Sequence, residues 1–201
     1  KDAGLLESLG VHFVFAPTPE EMYSTEEMQT RFSFDFNGLD EVMEGKMRPG
    51  HFNGVVQVVS RLFELVRPTR AYFGEKDFQQ LAIIRHMVEH SALSSHFNNL
   101  KIVGCPIVRE ASGLALSSRN ERLSDNEKQT AVAISQTLLA SVEWAKTDSI
   151  EAVQKRVIDT INAIDGLEVE YYEIVDKSTL QPTTTFDNAI GCVTVYCGPV
   201  R

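Results

Sequence analysis

Residues 71–81, reading Ala-Tyr-Phe-Gly-Glu-Lys-Asp-Phe-Gln-Gln-Leu, constrain the fold of this chain more than any other stretch. Ala71 to Phe73 is an apolar run that ends at Gly74, and charged residues follow at once. Leu81, Ile84, Arg85 and Val88 then fall at helical spacing, which predicts a helix to about His90. A strand that closes on glycine and opens into a helix leaves the first N–H groups of the helix unpaired, at the positive end of its dipole. Lys76 adds a full positive charge there, and Asp77 offers an oxygen to a metal ion that travels with phosphates. Gln80 lies one helical step from Lys76 and shares its face, whereas Gln79 lies one residue off it. The stretch reads as one half of a phosphate-binding site; the bland alternative is a surface charge cluster at a helix start.

The flanking segments set the fold class. Residues 10–16 form a short apolar run closed by Pro17, expected to be a buried strand in which His12 is a structural histidine. Residues 18–30 suit a loop with a short helical turn. Residues 31–36 alternate Arg-Phe-Ser-Phe-Asp-Phe, the pattern of a strand with one wet face. A short helix is expected over residues 39–44, stopping near Gly45, followed by a basic turn. The apolar positions 52, 55, 56, 59, 62, 63 and 66 predict a helix that Pro68 ends. Residues 91–99 read as a connection and 100–103 as another apolar strand, ending at Gly104. Apolar strands separated by helices imply a parallel sheet covered on both faces.

Downstream the character changes. Ser124 and Glu127 make a capping-box pattern for a helix to about Lys146. Asp148 and Glu151 suggest a second helix, ending at Asp165-Gly166. Strands follow at residues 169–175 and 189–197. The expected architecture is α/β: a parallel-sheet domain over residues 1–123, then a small α+β C-terminal domain over 124–201.

Charge and cysteine usage narrow the function. The net charge is −9, which disfavours broad nucleic-acid binding but leaves room for a local basic pocket. No apolar run reaches the roughly 20 residues of a membrane span, so no membrane partner is expected. Cys105, Cys192 and Cys197 are odd in number and form no Cys-x-x-Cys, which favours ordinary thiols in a reducing cytoplasm.

The second half-site is Ser117-Ser118-Arg119. A loop with two hydroxyls and an arginine suits phosphate oxygens, because the guanidinium presents a planar fork. With the segments Arg48-Pro49-Gly50-His51-Phe52, residues 72–81, and Gly113-Leu114-Ala115-Leu116-Ser117-Ser118-Arg119-Asn120, the chain resembles the pantoate–β-alanine ligase family. Three motifs in the family's order and spacing carry that resemblance over nearly the whole chain.

The resemblance implies a specific chemistry. The family uses ATP and Mg2+ to convert pantoate to pantoyl adenylate with loss of pyrophosphate; β-alanine then attacks the acyl carbon to give pantothenate, on the coenzyme A pathway, and AMP. By motif match, Gly74, Glu75, Lys76 and Asp77 would contact ATP, with Lys76 on the phosphates and Asp77 near the metal. Gln80 would hold pantoate, and the Val108 backbone would meet the adenine end. Leu116, Ser117, Ser118 and Arg119 would be the counterpart of the mobile "KMSKS" loop of class I aminoacyl-tRNA synthetases, making Lys76 and Arg119 the catalytic cations. Arg48 and His51 lie in a family motif without an assigned role. The family is usually a cytoplasmic homodimer.

The chain departs from the family in several respects. The family's His-x-Gly-His motif, which binds ATP phosphates, does not occur in it. The first strand and a pantoate-binding glutamine are missing as well, and the family continues a little past the residues that follow Cys197. The family fold is a Rossmann-like nucleotide-binding domain followed by a smaller C-terminal domain. The resemblance thus implies that residues 1–123 are the C-terminal part of the Rossmann-like domain, in a fragment that begins near its middle and is expected to be inactive by itself. Two other readings stay open at this point: another adenylate-forming Rossmann nucleotidyltransferase, and a non-catalytic domain fragment.

Overall fold

A computed structural model describes residues 2–26, 32–90, 97 and 99–201. The chain falls into two compact units, Lys1–Ser33 and Phe34–Arg201. In the first, α1 is Asp2–Ser8 and α2 is Pro19–Met22. Thr18 and Glu21 cap α2 reciprocally, and Pro19 at its first position needs no donor. The segment at residues 10–16 is not the expected buried strand. It is irregular, with Phe13 92% exposed and His12 exposed, so His12 is not a buried structural residue. The apolar pattern is right for a strand, but a strand needs a hydrogen-bonded neighbour, and none of the described residues pairs with it.

Residues 32–36 likewise form no strand, and Arg31 lies outside the described residues. Their burial still alternates, with Phe32, Phe34 and Phe36 inward and Ser33 and Asp35 exposed. In the second unit the Phe34 ring meets Phe36 edge-on at 5.0 Å, and its N–H donates to Asn53 Oδ1. Side-chain packing holds this segment in place of a ladder.

The unit Phe34–Arg201 carries the fold's organisation. Helix α3 is Met43–Met47, so the helix expected over 39–44 is displaced and Gly45 lies inside it. Gly45 is there for space: a Cβ on it would stand 2.1 Å from the Asp40 carbonyl oxygen. Helix α4, His51–Val66, buries Phe52, Val56, Ser60 and Phe63 and ends at Arg67 in the left-handed conformation, just before Pro68. Strand β1, Arg70–Gly74, pairs in parallel with β2, Lys101–Cys105, matching Tyr72 with Val103 and Gly74 with Cys105. Phe63 of α4 packs edge-on against Phe73 of β1, with centroids 6.4 Å apart. The other face of β1 is open, with Tyr72 64% exposed, so this sheet is not covered on both faces among the described residues. Helix α5, Phe78–His90, buries Leu81, Ile83, Ile84 and Met87 beside it. The connection expected at 91–99 lies mostly outside the described residues.

The C-terminal half has its own core. Helix α6 is Asp125–Trp144, and its reciprocal Ser124–Glu127 capping box is formed. Helix α7 is Ile150–Asn162, capped by the Ser149 hydroxyl rather than by Asp148. Ser149 stands directly before the first helical residue, where a short side chain reaches the third N–H. Val153, Val157 and Ile161 recur every four residues at no more than 1% exposure and form one core with Tyr172 and Ile174. Those residues belong to β3, Leu167–Asp176, which pairs antiparallel with β4, Ala189–Cys197, through a register shift between Val169 and Tyr171. Arg156 of α7 lies 4.0 Å above the Trp144 ring of α6 and ties the two helices on their outer side. No helix of the described residues is long and apolar enough to cross a membrane.

Candidate active site

A cleft of about 710 Å³ opens in the second unit. Its walls are the start of α5, the turn after α3, the loop before α6, and strand β4. The volume is in the range of pockets that enclose a nucleotide-sized ligand. Among the residues that read as site candidates, Glu75, Lys76, Asp77 and Gln80 line one side and Ser117, Ser118 and Arg119 another. Arg48 and His51 line it as well. Gly74, Val108 and Leu116 do not line it; Val108 is 63% and Leu116 51% exposed.

The start of α5 is preceded by an uncapped turn that carries Lys76. Residues Glu75–Asp77 form a turn of 3-10 helix between β1 and α5, and no side chain caps it. Gly74 is extended, and a Cβ there would meet nothing within 4 Å. Neither backbone conformation nor internal packing requires glycine at 74; an unobstructed approach to the backbone is what it provides. No side chain of the described residues hydrogen-bonds or ion-pairs with the Lys76 ammonium, the Asp77 carboxylate or the Gln80 amide.

The opposite loop is held by its own backbone. Leu116 N–H donates to Val108 O at 2.9 Å, Glu110 N–H to Leu114 O at 2.8 Å, and Asn120 Nδ2 to Ala115 O at 2.9 Å. This tight ribbon delivers Ser117 to a 3-10 turn, Ser118–Arg122, where its hydroxyl accepts from the Arg119 N–H. The Arg119 guanidinium is exposed and donates through Nη1 to the Arg201 carbonyl at 2.9 Å.

Two groups that the sequence does not single out organise the far end. Glu44 Oε1 accepts from Arg48 Nη1 at 2.9 Å, and both of its oxygens accept from the Arg201 fork at 2.9 and 2.6 Å. Arg201 Nε also donates to Glu170 Oε2 at 2.7 Å, and Tyr196 donates to the other Glu170 oxygen at 3.1 Å. Burial alone would raise the Glu44 pKa, but the hydrogen bonds from Arg201 and Arg48 prevail and bring it down to about 2. Burial lowers the His51 pKa, and the Arg48 charge beside it adds to this, so the ring that faces Arg48 Nη1 at 3.3 Å is neutral near pH 7. Burial pushes the Tyr171 phenol up to about 12, so it lines the cleft as a neutral hydroxyl.

These shifts carry a sign. The folded Glu44 pKa lies below its ordinary 4.5, so its contribution to stability is complete above that pH and is lost as pH falls toward about 2. His51, also lowered, acts in the same direction once pH falls below 6.5. Urea unfolding at stepped pH should show stability dropping through the acid window, with a shallower drop in Glu44→Gln. Equal slopes in the two proteins would refute the assignment.

The Asp77 carboxylate, which lines the cleft, has no ion-pair partner among the described residues. The described residues hold no group of three or more His, Cys, Asp or Glu side chains that could cage a metal ion. One carboxylate fits Mg2+, which typically binds through one or two carboxylates and the substrate's phosphates.

Comparison with known proteins places the chain among relatives. A family model described as Pantoate-beta-alanine ligase matches residues 1–201. A pantothenate synthetase of Phocaeicola vulgatus is 58% identical over 203 residues, covering 100% of this chain and 70% of that protein. One from Bacteroides fragilis is 55% identical, with 100% and 69% covered. Among solved structures, a pantothenate synthetase from Thermus thermophilus superposes with a TM-score of 0.81 at 37% identity, over 98% of this chain and 73% of that one. A pantoate-beta-alanine ligase from Francisella tularensis, complexed with beta-gamma ATP and beta-alanine, gives 0.74 at 30% identity, over 100% of this chain and 66% of that one.

Proposed function

This chain belongs to the pantoate–β-alanine ligase family, and from that premise we propose that its cleft holds ATP and pantoate between the start of α5 and the loop at Ser117 to Arg119. The reaction is the ATP-dependent joining of pantoate to β-alanine. A pantoate carboxylate oxygen attacks the α-phosphorus of ATP, the bond to the pyrophosphate oxygen breaks, and pantoyl adenylate forms. The β-alanine amine, having released a proton, attacks the acyl carbon; the acyl–phosphate bond breaks, and pantothenate and AMP leave.

The observation that carries this reading is the convergence of Lys76, Asp77 and Gln80 with Ser117, Ser118 and Arg119 on one cleft. Lys76 and the uncapped N–H groups beside it meet the phosphate oxygens. Arg119 adds a forked donor once it exchanges the Arg201 carbonyl for phosphate. Cations already in place when pyrophosphate charge develops lower the barrier; one such donor is worth about 2.7–4 kcal/mol. Asp77 would hold Mg2+, whose chemistry there is to neutralise phosphate charge. Gln80 bonds pantoate on the same helical face as Lys76. Gly74, Val108 and Leu116 are chain neighbours of the lining residues Glu75, Ile107 and Ser117, and in this proposal ATP reaches their backbones from the cleft.

Equilibrium binding tests it. Calorimetric titration of the chain with pantoate should show saturable binding, and Gln80→Ala should weaken it about tenfold while ATP affinity stays unchanged, as expected for one hydrogen-bonded amide lost. Equal pantoate affinity in the variant would remove Gln80 from the substrate site.

A further inference from the structure

Gln79 stands among the residues that line the cleft but is only 6% exposed, and its amide is taken up by backbone. Its Nε2 donates to Leu39 O at 2.7 Å and to Val42 O at 2.9 Å. Its Oε1 accepts from the Glu44 N–H at 3.0 Å. Both donor hydrogens and the acceptor oxygen of the amide are therefore engaged. The three partners belong to the segment that enters α3 and to its first turn. Helix α3 has Val42 at its N-cap and no side chain of its own to cap it. Gln79 supplies the cap from another helix, 35 residues away in sequence.

The consequence is geometric. Gln79, in the first turn of α5, lies between Asp77 of the preceding 3-10 turn and Gln80. The segment it grips leads through α3 to Arg48, whose N–H bonds Glu44 O at 2.9 Å, and on to His51, whose N–H bonds Arg48 O at 3.0 Å. Two walls of the cleft that share no covalent neighbour are thus joined by one buried amide. We propose that Gln79 is a positioning residue for the ligase reaction: it fixes the α5 wall, with Lys76, Asp77 and Gln80, against the α3 wall, with Glu44, Arg48 and His51. This rests on the reading of the cleft given above. With both donors and the acceptor of its amide engaged, Gln79 has no free polar group for a substrate; it acts through Gln80 on one side and through α3 on the other. Glutamine is the only side chain of this length that offers two donors and one acceptor without charge.

The test uses Gln79→Leu and Gln79→Glu. Leucine removes all three bonds, and glutamate keeps the acceptor while setting a carboxylate against two carbonyls. His51 reports on the α3 wall without any ligand. Its titration, followed by NMR and assigned with a His51→Gln variant, senses Arg48, Glu44, Arg201 and Asp77 around it. If Gln79 positions the wall, the His51 midpoint rises toward 6.5 in the uncharged Gln79→Leu while the circular dichroism of the folded state is retained, and pantoate affinity falls about five- to tenfold in both variants. If the variants only melt earlier, with the His51 midpoint and pantoate affinity unchanged, Gln79 is structural and the proposal is wrong. Should Gln79→Leu not fold, Gln79→Asn, uncharged and one methylene too short to reach all three partners, decides between the same two outcomes. If the unaltered chain binds no pantoate, the substrate reading fails, while the His51 midpoint still decides the role of Gln79.

Discussion

Replacing Lys76 with alanine should lower the affinity of this chain for ATP in the presence of Mg2+ by about ten- to a hundredfold. A charge-assisted hydrogen bond contributes roughly 1.5–3 kcal/mol net, and each 1.4 kcal/mol is tenfold in affinity. The ammonium has no carboxylate partner among the described residues, so its removal leaves no buried anion exposed to penalty. The residue is also exposed, so stability should change by no more than about 0.5 kcal/mol. Loss of binding with an unchanged melt is the signature of a ligand contact. Calorimetric titration with ATP checks the first part and thermal unfolding the second. Unchanged affinity would remove Lys76 from the proposed phosphate site and leave that proposal without its principal cation. Arg119→Ala should cost less, because Arg119 must first leave the Arg201 carbonyl.

The largest effect on stability is expected from Gly45→Ala. A Cβ at 45 would stand 2.1 Å from Asp40 O, 2.6 Å from its carbonyl carbon and 2.8 Å from its Cα. All three are backbone atoms, so no side chain can rotate out of the way. Either α3 or the preceding turn must move, and Gln79 holds both. Overpacking of this kind costs about 1–3 kcal/mol and more where the backbone is pinned. Gly45→Ala should therefore lose about 3 kcal/mol or more in urea unfolding, and should weaken pantoate binding together with stability. Gly54→Ala is the control, since a Cβ there meets nothing within 4 Å and the residue lies inside α4. Alanine should stabilise that helix by roughly 0.5–1 kcal/mol. Similar melts for the two variants would show that α3 accommodates the methyl group.

Much of this architecture is legible in local patterns. The apolar positions from Phe52 to Phe63, the strand–glycine–helix passage at Gly74 and the Ser124–Glu127 cap each depend on residues within a few positions of one another, and each appears as read. The readings that failed depend on partners. The run from Val11 to Phe15 has strand composition, but composition cannot supply a neighbour. Gly45 looks like a helix stop because glycine often is one; here its value lies in an approach to Asp40 that no periodicity encodes. The site divides in the same way. Lys76, Asp77, Gln80 and Ser117 to Arg119 stand out by motif. Glu44, Gln79 and Arg201 do not, because their roles arise from contacts 35 to 157 residues apart.

The Glu44–Arg201 pair also bears on how the chain reaches this structure. The pair closes a loop of 157 residues, while strand β3 follows closely on helix α7, against which it packs. Closing so long a loop early would spend chain entropy before any packing could offset it. The C-terminal helices and hairpin are therefore expected to assemble first, and Arg201 to reach Glu44 after the rate-limiting barrier. An interaction made that late slows escape from the native state and leaves the speed of arrival almost untouched. The contact that joins the two ends of the second unit thus acts as a brake on its unfolding.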